Sequence, residues 1–212
     1  MVGFNLINII INVPITLIAL TGHEFAHGWV STKLGDPTPE REGRLTLNPL
    51  AHLDPVGTLL MILTGFGWAK PVEINPNYYK NFRSGVMKVS FAGPGMNLLI
   101  CFLAECIMLL MMKLGLLTAG QPGHLFLYWI MLYNVWFAFF NLIPVPPLDG
   151  SKILEMVLPG KLAFAFHNFS YRYSFLLLLF LVFSGMIGRI INPLAQFYTG
   201  TTIRLIASVL QM

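Results

Sequence analysis

Long apolar windows constrain this chain of 212 residues more than any other feature. Residues 89–112, 125–143 and 175–191 each approach the roughly 20 apolar residues that a helix needs to cross a hydrocarbon layer, and a further window opens the chain at residue 4. In lipid, a backbone satisfies its own hydrogen bonds as a helix, so several such windows in one short chain predict helices that cross a bilayer. The composition agrees. Hydrophobic residues make up 56% and charged residues only 10%, too few to cover a water-soluble domain of this size. The expected fold is an all-α polytopic membrane protein. It has four to five transmembrane helices in one domain over residues 1–212.

Several details refine that expectation. The first helix runs from residue 4 through about residue 32, with Asn5, Asn8, Asn12 and Pro14 turned toward other helices. It lacks the basic leader and small-residue cleavage site of a signal peptide, so it belongs to the mature chain. Residues 33–88 are polar and rich in proline and glycine, interrupted by an apolar run at 56–66 that is too short to cross. A re-entrant segment with some β structure is expected there. Residues 192–212 form either a fifth span or an interfacial helix. Cys101 and Cys106 fall in one apolar window and act as small buried hydrophobes.

The net charge of +4 comes without any basic run interleaved with aromatics, so nucleic acid is not an expected partner. If the first helix enters from outside, ten of the thirteen basic residues, Lys33, Arg41, Arg44, Lys70, Lys80, Arg83, Lys88, Lys152, Lys161 and Arg172, lie on the cytoplasmic side. That orientation of a multi-pass protein in the cell membrane is the expected one.

At the end of the first apolar window stands His23-Glu24-Phe25-Ala26-His27. Histidines at i and i+4 share one helix face and can hold one metal ion, with Glu24 beside them to activate a metal-bound water. Zinc is the expected ion. Ionisable groups next to 19 residues of apolar sequence are functional candidates by default. A catalytic zinc takes three protein ligands, and depth in the membrane selects the third. The histidines lie about 19 residues, roughly 28 Å, along the first helix. Glu105 and His124 fall toward the opposite side. Asp149 sits where the third span returns, in the proline-rich stretch from Asn141 to Gly150. His52, Asp54, Glu155 and His167 share that side but lie in more polar sequence. A transporter or scaffold that merely binds zinc is the alternative, and it has no need of Glu24.

With these residues in place, the chain resembles the site-2 protease family of intramembrane zinc metalloproteases, in its short bacterial and archaeal branch. His23 to His27 resembles the first motif; Asn141, Pro144, Leu148, Asp149 and Gly150 resemble the second. Between them, His52-Leu-Asp-Pro-Val-Gly57, Gly67-Trp-Ala-Lys-Pro-Val72 with Asn75-Pro76, and Ala92-Gly-Pro-Gly-Met-Asn97 resemble further family segments. Ser31 and Glu73 depart from the pattern at positions without catalytic groups. The resemblance implies an endopeptidase acting on membrane proteins at or near their transmembrane segments, its site facing the cytoplasm, with no room for a PDZ or CBS domain. It implies that Asn141 serves the substrate or the oxyanion, and that Gly67, Trp68, Val72 and Asn97 serve substrate binding. The β-branched residues among prolines at 67–76 suggest an edge strand that pairs with an unwound substrate.

Overall fold

The computed structural model describes residues 6–64 and 69–211. Their regular elements are helices. The first helix, α1, spans Leu6–Lys33, and a single turn, α2, follows at Thr38–Arg41. After a 3₁₀ turn at Pro49–His52, α3 covers Pro55–Thr64. A second 3₁₀ turn, Pro76–Tyr78, leads into α4, Phe82–Lys113. Then come α5 at Pro122–Asn141, α6 at Asp149–Val157, α7 at Gly160–Arg172, α8 at Ser174–Phe183 and α9 at Met186–Leu210.

The 32-residue α4 is the axis of the molecule, packing against α1, α5, α6 and α9. Asn81 caps its start, accepting from the Ser84 amide at 3.0 Å. Its two faces differ in the way a membrane helix in a bundle requires. Val89, Asn97, Cys101, Ala104 and Met108 are buried, whereas Phe91, Leu99, Leu103 and Ile107 are each 48% exposed at near-fourfold spacing. The buried face joins Ile15, Ile130, Val135 and Ile191 in one core. The outward stripe is apolar, as a lipid-facing surface must be.

By length and composition, α4 and α5 can cross a membrane, and α7 with α8 adds a third candidate if their 71° bend is one broken span. The four to five spans expected from the sequence are therefore met only in part. Residues 175–191 are not one helix. α8 stops at Phe183, Gly185 takes φ +68, and α9 starts afresh at Met186 and runs on as one helix to Leu210, through most of residues 192–212. A left-handed residue cannot continue a right-handed helix, and glycine adopts it without penalty.

Between α1 and α4, α3 has ten residues, about 15 Å, too short to cross. The β content there is one antiparallel bridge between Leu53 and Ala69, reinforced by Lys70 N donating to the His52 carbonyl at 2.9 Å. Residues 71–75 lie outside any helix and pair in no ladder among the described residues, and Asn75 at their end has an extended backbone. The ends of the loop are stapled by Arg44, only 4% exposed, whose guanidinium donates to the carbonyls of Ala51, Lys70 and Pro71.

Candidate metal centre

His23 and His27 lie one turn apart on α1, and Asp149 is the first residue of α6, delivered by the proline-rich return from α5. Asp149 can begin a helix there because Gly150 follows it. A Cβ on Gly150 would stand 2.1 Å from the Leu142 carbonyl oxygen, so only glycine lets the returning backbone pass so close to the end of α5. The three side chains meet. Asp149 Oδ2 is 3.1 Å from Nε2 of each histidine, and the two Nε2 atoms are 2.9 Å apart. All three residues are buried.

The outer nitrogens of both rings decide what the inner ones offer. His27 Nδ1 lies 2.7 Å from the Val89 carbonyl, which only accepts, so Nδ1 carries the proton. His23 Nδ1 lies 2.7 Å from Asn97 Oδ1. That amide is oriented by its other end, because Asn97 Nδ2 donates to the Ala19 carbonyl and to Asn134 Oδ1, each at 2.9 Å. Asn134 is oriented in turn by donating to the Ile130 carbonyl at 2.8 Å. Each step has one direction only, so His23 also carries its proton on Nδ1.

Two Nε2 lone pairs and a carboxylate oxygen therefore face one point at about contact distance. Left to themselves these groups repel, and a divalent cation at their centre converts the repulsion into coordination. Two imidazole nitrogens and one carboxylate oxygen, with a fourth direction open, suit a catalytic zinc, and the bonds to Nδ1 are the second-layer contacts that orient such ligands. Among the described residues this is where three metal-ligating side chains converge. His52 is instead buried in its 3₁₀ turn against the Thr46 carbonyl, Asp54 caps the start of α3, and Glu155 pairs with His167 away from the site. Glu105 is fully buried farther along α4, beside Cys101.

A cavity of about 140 Å³ opens beside the three ligands, with Glu24, Val72, Ser90, Asn141 and Lys152 in its walls. Glu24 Oε2 accepts from the Val72 amide at 2.8 Å, which sets the carboxylate at the wall. Asn141 ends α5, its Nδ2 donating to the Phe137 carbonyl at 3.0 Å; the Phe137 ring packs edge-on against His23. Asn97 lies outside the cavity, beneath His23, with no surface exposed. Gly67 and Trp68 fall outside the described residues.

Five contributors have no role assigned by the sequence reading. Gly93 lets α4 press on the ligands, since a Cβ there would stand 2.4 Å from His27 Nε2. Asn134 holds Asn97. Lys152 Nζ lies 3.3 Å from Asp149 Oδ1, occupying the oxygen turned from the histidines; its position one turn after Asp149 was the available signal. Arg44, through Pro71, places the segment that carries Val72. Asp36 anchors that segment further along, accepting from Asn75 N at 2.7 Å, Ser31 Oγ at 2.8 Å and Thr38 N at 2.9 Å. Burial alone would raise the Asp36 carboxyl, but these donors outweigh it and hold the group below the usual carboxylate range.

Comparison with known proteins places the chain. The model of peptidase family M50 matches residues 117–181, the stretch that holds Asn141 and Asp149. YwhC of Bacillus subtilis, whose name describes a zinc metalloprotease, is 40% identical over 200 residues, covering 92% of this chain and 90% of that protein. Rip2 of Mycolicibacterium smegmatis, similarly named, is 31% identical over 66% of this chain and 54% of its own length. MJ0611 of Methanocaldococcus jannaschii, also named as a zinc metalloprotease, is 30% identical over 63% of each chain. No solved structure matches. A family match over the return that delivers Asp149, and a relative aligned along nine-tenths of both chains, make this chain a member of peptidase family M50, the site-2 proteases.

Proposed function

We propose that this protein is an intramembrane zinc endopeptidase that hydrolyses peptide bonds in or near the transmembrane segments of membrane proteins. The observation that carries the reading is the meeting of His23, His27 and Asp149 at one point, with Glu24 in the wall of the same cavity. A bound zinc lowers the pKa of water and polarises a carbonyl. The chain's own groups do the rest. Glu24 stands at the cavity as the base that takes a proton from the attacking water and returns it to the leaving amine. Its Val72 hydrogen bond keeps the carboxylate aimed without neutralising it. Asn141 has one amide hydrogen left after bonding Phe137 and is the candidate donor to the developing oxyanion.

Substrate must reach the site unwound, because a helix hides its amides. Residues 71–75 suit that need, since the Glu73 and Ile74 amides carry no hydrogen bond among the described residues and Pro71, Val72 and Ile74 line the cavity. We assign them, with Gly67, Trp68 and Val72, to pairing with the substrate backbone. Asn97 contributes indirectly, by orienting His23. In this reading α1 and the helices after α5 bring the spans to four or five, the site opens to the cytoplasmic side, and a bilayer surrounds the chain.

The test combines zinc analysis with cleavage of a single-span model substrate. Glu24→Gln should keep one zinc per chain and lose activity by at least about a hundredfold, the lower end of general-base contributions. Asp149→Ala should lose both. Unchanged cleavage by Glu24→Gln would overturn the assignment, and a zinc-bound wild type that cleaves nothing would favour metal transport.

A further inference from the structure

A groove of about 890 Å³ lies away from the metal centre, between the C-terminal end of α1, the first turns of α4 and the end of α6. Its floor is apolar, formed by Val30, Met87, Phe91 and Met156. Two cations line it, Arg83 and Lys88, and among the described residues no carboxylate does. Neither cation forms an ion pair among the described residues; Arg83 Nη2 donates to the Leu158 carbonyl at 2.6 Å.

Its place on α4 identifies what fills it. Phe91 belongs both to the groove and to the outward apolar stripe that continues through Leu99, Leu103 and Ile107 to Leu110. From Phe91 to Leu110 the helix rises about 28 Å, close to the hydrocarbon thickness of a bilayer. Lys88 and Arg83 then stand about 4 and 12 Å beyond that layer, at headgroup depth. The groove therefore opens sideways onto lipid, with its apolar part at acyl-chain level and its two unpaired cations at phosphate level. We infer that it is a binding site for one anionic phospholipid, with the phosphate between Arg83 and Lys88 and the first part of an acyl chain along Phe91 and Met156. A substrate segment suits it poorly. The cytoplasmic ends of membrane helices are themselves basic, and these cations repel them.

The bound lipid bridges α4 to α6, the helix that opens with Asp149. The site thus couples the surrounding membrane to the element that completes the metal centre.

The test is native mass spectrometry of the full chain in detergent, offered phosphatidylglycerol, phosphatidylcholine or inorganic phosphate, a readout independent of peptide cleavage. The expected result is one retained phosphatidylglycerol, no retained phosphatidylcholine and no retained phosphate. Arg83→Gln with Lys88→Gln should weaken retention on the order of thirtyfold, and Lys161→Gln should leave it unchanged. If the double variant fails to fold, Lys88→Gln alone should weaken retention about fivefold. Equal retention of the two lipids, unchanged retention by a folded variant, or displacement of the lipid by a basic single-span peptide would overturn the inference.

Discussion

Replacing Gly93 with alanine should weaken zinc binding at the metal centre while leaving the fold intact. The added Cβ would fall 2.4 Å from His27 Nε2 and 2.6 Å from His23 Nε2, about 1 Å inside the ordinary contact limit near 3.4 Å. Neither ring can swing aside freely, because the Val89 carbonyl and Asn97 hold their far nitrogens at 2.7 Å, and both holders sit on α4 with Gly93. The strain is relieved by moving α4 away from α1 or by breaking those bonds, and metal sites tolerate only about 0.2 Å of displacement. Losing such orienting contacts weakens metal affinity by about 10- to 100-fold, or roughly 1.4 to 2.7 kcal/mol. Helix propensity works the other way, since alanine is favoured over glycine by up to about 1 kcal/mol, so a loss of zinc cannot be blamed on α4 melting. Gly95→Ala is the control, because its Cβ would meet nothing within 4 Å. Zinc affinity is read by competition with a chromogenic chelator, and folding by circular dichroism and thermal melting. Full affinity in a folded Gly93→Ala chain, or equal weakening by Gly95→Ala, would refute the reasoning.

Three more expectations follow from the loop between α1 and α4. Val72→Pro removes the amide that aims Glu24, and should abolish cleavage of a model substrate while zinc content stays at the wild-type value. Arg44→Met leaves three partly buried carbonyls without their donor, and should lower stability by about 2 kcal/mol, read as a fall in melting temperature. Asp36 titrates below its ordinary value in the folded chain, so its contribution is present above the unfolded carboxylate pKa, near 4, and is lost as pH falls through the lower folded value. Melting temperature measured against pH should show that acid-side loss in the wild type and a smaller one in Asp36→Asn.

What could be read from the residues alone depended on how local the signal was. The pair His23 and His27 is visible because one helical turn suffices to bring them together, and Asp149 was reachable because membrane depth leaves few alternatives. The tie between Asn97 and His23 spans 74 positions and follows from helix packing, which no periodicity encodes. Arg44 looked like one of ten cytoplasmic cations, yet its burial depends on three carbonyls that meet only when the loop closes. The break after Phe183 was hidden for a different reason. Hydropathy averages over a window, and Ser184 with Gly185 hardly lowers the mean across 175–191, although one positive φ ends the helix.

The chain of amides from Ile130 through Asn134 and Asn97 to His23 has a consequence for error tolerance. Its links carry a fixed polarity, so turning any one amide over sets donor against donor at one end and acceptor against acceptor at the other. The chain has two consistent settings at most, and the backbone carbonyls of Ala19 and Ile130 forbid one of them. The tautomer of neutral His23 is thus written into the backbones of α1 and α5.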